Sequence, residues 1–149
     1  MKNPIYKAKS VSSGEWVFGN FIHSKRFTGL ANEFRIYDQD TGVEHDIDPY
    51  TICMSTGMKK YKNQDYIFQN DVFFEEIEYD EGDHRIYYVV TWVEEWARFV
   101  LLENFVYIGY IHHGIEALDP DERYDFTKEE LSKMHYAGNI IDNKNLLDV

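Results

Sequence analysis

The sequence predicts a mainly β chain, α+β in detail, built as a small antiparallel barrel or sandwich. Three observations carry this. Aromatic residues make up 17% of the 149 positions, with 12 Tyr and 10 Phe, a composition that suits half-buried pleated surfaces. Short apolar and alternating runs are separated by clusters of Gly, Asp, Asn and Ser, the spacing of strands and hairpin turns. Only one segment carries a full helix-start signature.

In chain order, "IYKAKSV" (5–11) and "WVFGNFIH" (16–23) read as two strands joined by the turn cluster Ser12-Ser13-Gly14. Residues 24–33 are polar and expected as loop. In "EFRIYD" (33–38), Phe34 and Ile36 share one face of a short strand and Arg35 and Tyr37 the other. "DQDTG" (38–42) turns the chain, and Pro49 marks the start of the next segment. "DVFFEEIEY" (71–79) and "RIYYVVTWV" (85–93) form a hairpin, with Gly82 in the connection. The second strand is apolar on both faces, so it is central and Trp92 is expected to be largely buried. "WARFVLLENF" (96–105) follows as a strand after a turn at Glu94-Glu95. Thr127-Lys-Glu-Glu130 is a capping box that opens a helix over about 128–136, stopped near Gly138. Asp119 and Pro120 suggest a shorter helical turn over 118–124.

The charge is uneven. Residues 1–62 carry nine Lys/Arg against seven Asp/Glu, and residues 63–149 carry six against twenty, which sum to the net −12. That balance disfavours nucleic-acid binding over the whole surface. Cys53 is the single cysteine, so no intrachain disulfide forms and a reducing, cytoplasmic setting is expected. The opening "MKNPIYKAKSVSSGEW" has no apolar core of a signal peptide. The longest apolar run, Phe105 to Ile111, is too short to span a bilayer.

Three segments together resemble the YopX family of phage and prophage proteins. In "TICMSTGMKKYKNQDYIFQNDVF", Thr51, Thr56, Gly57, Lys59, Ile67, Phe68, Asp71 and Val72 stand at matching positions. In "GNIIDNKNLLDV", Gly138, Asn139, Ile140, Asn143, Leu146 and Leu147 match the family's ending. "WVFGNFI" (16–22) is similar to its Trp-x-x-Gly segment. Departures are Asn70 for a family glycine, Lys144 for a proline, and a longer "KKYKNQD" turn. Asn tolerates a left-handed φ better than other non-glycine residues, so the turn at Asn70 is expected to survive. The resemblance implies an SH3-like barrel over 51–149, preceded by an N-terminal β segment over 1–50. A helical insertion is expected at about 104–137. It implies a phage-encoded protein of the bacterial host cytoplasm, and no catalytic residues to carry over.

Thr56, Gly57, Asp71, Trp92, Gly138 and Asn139 are therefore expected to be structural. Lys59, Lys60, Tyr61 and Lys62, with Lys25 and Arg26 upstream, form the one basic–aromatic cluster visible in the sequence. Ammonium groups there would engage phosphates while Tyr61 stacks on a base; the ordinary alternative is a solvated loop. His112 and His113 with His45, Asp46 and Asp48 lack metal-site spacing, and adjacent residues of an extended strand point to opposite faces. Asp80, Glu81 and Asp83 fall in a hairpin turn, where carboxylates are ordinary. Cys53 has an apolar flank and reads as an inert buried thiol. The expectation is a non-enzymatic module without cofactor or metal that binds a protein, either a host factor or its own copies. The alternative is a nucleic-acid-binding module using the Lys59–Lys62 loop, and a more distant one is an acidic mimic of nucleic acid.

Overall fold

The computed structural model describes residues 5–23, 33–60, 65–79 and 82–148. It is mainly β and divides into two compact units, 1–58 with 66–68, and 59–65 with 69–149. The first holds β1 (Tyr6–Lys9), β2 (Trp16–His23), β3 (Phe34–Asp38), β4 (Val43–Asp46), β5 (Cys53–Lys59) and β6 (Tyr66–Phe68), in the sheet order β4-β3-β2-β1-β5-β6. Asp48 caps a single 3-10 turn at Pro49–Thr51, its side chain accepting from the Tyr50 N–H.

Side-chain alternation sorts this sheet. Ala8, Ile36 and Ile47 are fully buried, with Tyr6, Val17, Phe21, Phe34 and Ile52 against them. On the alternate positions of β1 and β2, Lys9 pairs with Trp16 and Lys7 with Phe18. Gly19 matters for closeness: a Cβ there would lie 2.0 Å from the Tyr37 carbonyl oxygen.

The second unit holds β7 (Asp71–Tyr79), β8 (Gly82–Val93), β9 (Arg98–Glu103), α1 (Asn104–His113), α2 (Lys128–Ser132) and β10 (His135–Asn139). Its sheet order is β10-β7-β8-β9, antiparallel throughout. The expected hairpin is present, running from Val72 opposite Val89 to Tyr79 opposite Gly82; Asp80 and Glu81 lie outside the described residues. Val72, Val89, Val93, Val100 and Leu102 face Tyr107 of α1 and Leu118 in one core, on which Leu146 and Leu147 also pack. Each such fully buried valine or leucine contributes about 1.5–3 kcal/mol. The segment after α1 covers the β9 edge, where the Leu101 N–H donates to the Tyr124 carbonyl at 3.1 Å.

Several expectations need correcting. Both sheets are open, with linear strand orders, where a closed barrel was expected. β5 and β6 join the N-terminal strands rather than the residues after 51, because β5 pairs with β1. Thr56-Gly57 lies inside β5. The strand expected over 96–105 stops at Glu103, and "FVYIGYI" is helical in α1. The segment 118–124 is a turn, not a helix: the Asp119 side chain accepts from the Asp121 N–H and its carbonyl from Glu122.

The capping box is where it was expected, with the Thr127 hydroxyl accepting from the Glu130 N–H at 3.1 Å. α2 nonetheless stops at Ser132, and His135–Asn139 pairs instead as an edge strand on β7. Trp92 is largely buried, as expected, though not completely. Its ring meets Phe99 edge-on at 5.0 Å while the indole N–H donates to Glu94 at 3.1 Å, so the polar tip stays at the surface.

Candidate functional site

The residues singled out by the sequence fall into two groups. The first fixes backbone. The Thr56 hydroxyl donates to the Ile67 carbonyl at 2.8 Å, tying β5 to β6. Gly57 adopts φ 77° and Asn70 φ 75°, the left-handed conformation expected for the asparagine. The Asn70 N–H donates to Val90 and its carbonyl accepts from Ile140, so this one turn joins β8 to the end of β10. Asp71 and Asn139, far apart in sequence, are direct cross-strand partners, and Gly138 stands opposite Val72. Both polar residues are buried. The Asn139 side chain both donates to the Asp142 carboxylate and accepts the Asp142 N–H, closing the turn after β10. Tyr136 adds its phenol to this node. Burial, then the neighbouring Asp71 carboxylate, pushes its pKa well up, so it stays a neutral donor.

The second group is the lysine stretch. Lys59 is exposed at the end of β5. Lys60 is half-buried, with its ammonium 3.6 Å from the centre of the Tyr136 ring. That cation–π contact engages one charge of the expected phosphate-binding cluster. Tyr61 and Lys62, with Lys25 and Arg26, lie outside the described residues. A second basic–aromatic grouping escaped the sequence reading: Lys7 and Lys9 place their ammonium groups 4.3 and 4.6 Å from the Trp16 ring. It arises from cross-strand pairing, which linear spacing does not show. Lys7 is also buried, 4.7 Å from the Phe68 ring, so its charge is packed away from solvent.

His112 and His113 sit at the exposed end of α1, in helical and not extended structure. Among the described residues no three metal-binding side chains converge. Cys53 is buried, and its thiol donates weakly to the Thr51 carbonyl at 3.4 Å. Among the described residues no helix is long and apolar enough to cross a membrane.

The most distinctive surface involves none of these. A cleft of about 650 Å³ opens in the second unit between β7–β9, the start of α1, the 119–125 turn and α2. Glu75, Glu103, Asp119, Glu122, Asp125 and Glu130 rim it, and among the described residues Arg123 is the one cation in its lining. Tyr88, Phe105 and Tyr124 supply aromatic wall. The Tyr88 phenol registers the negative field: burial first, then Glu103, Glu75 and Glu130, raise its pKa from 10.0 to about 12.

Phe105 leads from the cleft onto the outer face of α1. Tyr107 on the inner face is buried in the core, with Val106 and Tyr110 packed beside it. Yet Phe105, Ile108 and Ile111 on the outer face are 65%, 37% and 59% exposed. A helix apolar all round is normally buried all round, so among the described residues this face lacks a cover. The sequence signals for this region were the acidic excess after residue 62, the apolar run at 105–111 and the helical insertion expected at about 104–137.

No protein-family model, curated protein or solved structure matches the chain.

Proposed function

We propose that this chain is a phage-encoded accessory protein, similar to the YopX family, that acts by binding another protein and not by catalysis. The binding surface is the outer face of α1. The observation that carries the reading is the exposure of Phe105, Ile108 and Ile111 on a helix whose opposite face already fills the core. Isolated surface apolar residues are ordinary, but a spaced row of three on one short helix is the pattern of an anchor set for a partner. On this reading the protein works in the host cytoplasm, and the β10-β7-β8-β9 sheet is an open counterpart of the family's SH3-like barrel. The nucleic-acid alternative is disfavoured by the Lys60–Tyr136 contact and by the acidic rim of the cleft.

The test compares tagged native protein with a Phe105→Ser/Ile111→Ser variant in nuclease-treated host lysate, with folding of both checked by circular dichroism. A defined protein retained by the native chain and lost by the folded variant is the expected result. Retention that disappears with nuclease, or that the variant leaves intact, refutes it.

A further inference from the structure

We infer that the partner presents a basic amphipathic segment, with apolar side chains on Phe105, Ile108 and Ile111 and a lysine or arginine in the adjoining cleft. This rests on the reading of α1 as the binding face, and it names the chemistry of what binds there.

The apolar row and the cleft are continuous, since Phe105 belongs to both. Among the described residues, six carboxylates against one guanidinium make the cleft strongly attractive to cations. Its volume of about 650 Å³ accommodates a long side chain, and its aromatic walls suit the mixed nature of lysine and arginine. The methylene stem packs on Tyr88, Phe105 and Tyr124, while the charged head meets carboxylates and ring faces. The raised Tyr88 pKa fits the same field.

Two other occupants fit less well. A divalent cation needs oxygens converging on a point, whereas no metal-binding group of three forms among the described residues. The cleft carboxylates are therefore spread around an opening rather than gathered. A second copy would bring another net −12 to an already acidic face, and like charges across an interface disfavour it.

The experiment uses the full chain and labelled model peptides, read by fluorescence anisotropy at low and physiological salt. The probes are an amphipathic Leu/Lys helix, its Leu/Glu counterpart, and a scrambled Leu/Lys peptide of equal charge. The proteins are native, Glu103→Gln/Glu130→Gln, and Phe105→Ser/Ile111→Ser. The native chain should bind the amphipathic Leu/Lys probe in preference to the other two. Removing two rim carboxylates should weaken that binding about tenfold at low salt and flatten its salt dependence. Removing the apolar anchors should weaken it at every salt concentration.

Equal binding of the Leu/Glu or scrambled probe overturns the inference, as does a carboxylate variant that behaves like native. If the helix variant alone loses the probe, α1 remains the binding face and only the charge reading fails. If the helix variant binds normally, the reading of α1 itself fails. Calcium that binds in the cleft and displaces the probe, or self-association lost in the helix variant, also overturns it in favour of those occupants.

Discussion

Replacing Gly19 by alanine should break the first sheet. An added Cβ would lie 2.0 Å from the Tyr37 oxygen and 2.7 Å from its carbonyl carbon, both backbone atoms that cannot rotate away. Real Cβ atoms essentially never come closer than 3.0 Å and ordinary contact begins at 3.4 Å, so β2 and β3 must part by about an ångström or more. Asn20 stands opposite Tyr37 in that ladder, and a hydrogen bond stretched by an ångström is lost. Overpacking of this kind costs about 1–3 kcal/mol. One or two lost backbone bonds add about 0.5–1.5 kcal/mol each. The expected loss is about 2–5 kcal/mol, a large part of the ~5–15 kcal/mol that a domain commands. The assay is urea unfolding followed by Trp16 emission, in a background carrying Trp92→Phe and Trp96→Phe so that only β2 reports. Gly14→Ala is the control. Gly14 has φ 71° with nothing within 4 Å, so alanine there should cost only the left-handed penalty of about 1 kcal/mol. If Gly19→Ala costs no more than Gly14→Ala, the reasoning from backbone approach is wrong.

Three further predictions are independent of this one. Asn70→Gly should be within about 1 kcal/mol of native, whereas Asn70→Val should lose about 2 kcal/mol or more, because φ 75° excludes a β-branched residue; chemical denaturation separates the two. Tyr88 should ionise near pH 12, seen as the difference in phenolate absorbance between native protein and Tyr88→Phe, and Glu103→Gln should move that midpoint down. Because the folded pKa is raised above the ordinary 10.0, the Tyr88 contribution to stability is full below pH 10 and is lost as pH rises through about 12. Finally, the native chain should show no appreciable binding to single-stranded DNA at physiological salt. A tight, salt-sensitive complex abolished by Lys59→Ala/Lys60→Ala/Lys62→Ala would reinstate the nucleic-acid alternative, each lost phosphate contact removing about 0.7 from the log–log salt slope.

Local pattern and long-range pairing explain what was legible and what was not. β2, β3 and the β7–β8 hairpin announce themselves through alternation and turn residues, both properties of neighbouring positions. α1 does not, because Phe105, Val106, Tyr107, Ile108, Tyr110 and Ile111 leave no polar stripe, and β-branched and aromatic residues imitate a strand. β10 was hidden by the Thr127 capping box, a true helix start that says nothing about where the helix stops. Its end is set by pairing with β7, about 60 residues earlier, and tertiary pairing overrides local preference. The cleft was invisible for the same reason. Its carboxylates come from β7, β9, the 119–125 turn and α2, and no linear spacing relates them.

On the proposed family reading, the motif positions and the binding surface are separate parts of the chain. Thr56, Asn70, Asp71 and Asn139 act on backbone: one hydroxyl closes β5 on β6, one left-handed turn joins β8 to β10, and two buried polar residues meet across β7 and β10. Positions of that kind constrain a fold and leave its partners open. Phe105, Ile108, Ile111 and the acidic rim residues from Glu103 to Glu130 lie instead within or beside the 104–137 stretch, where the resemblance offers no matched position. On the proposed reading, a partner docking there is selected by residues that the family motifs do not include. Proteins sharing the Thr-Gly, Asn/Gly-Asp and Gly-Asn positions should then fold alike yet fail to compete for the same partner, unless they also carry an apolar helix beside an acidic cleft.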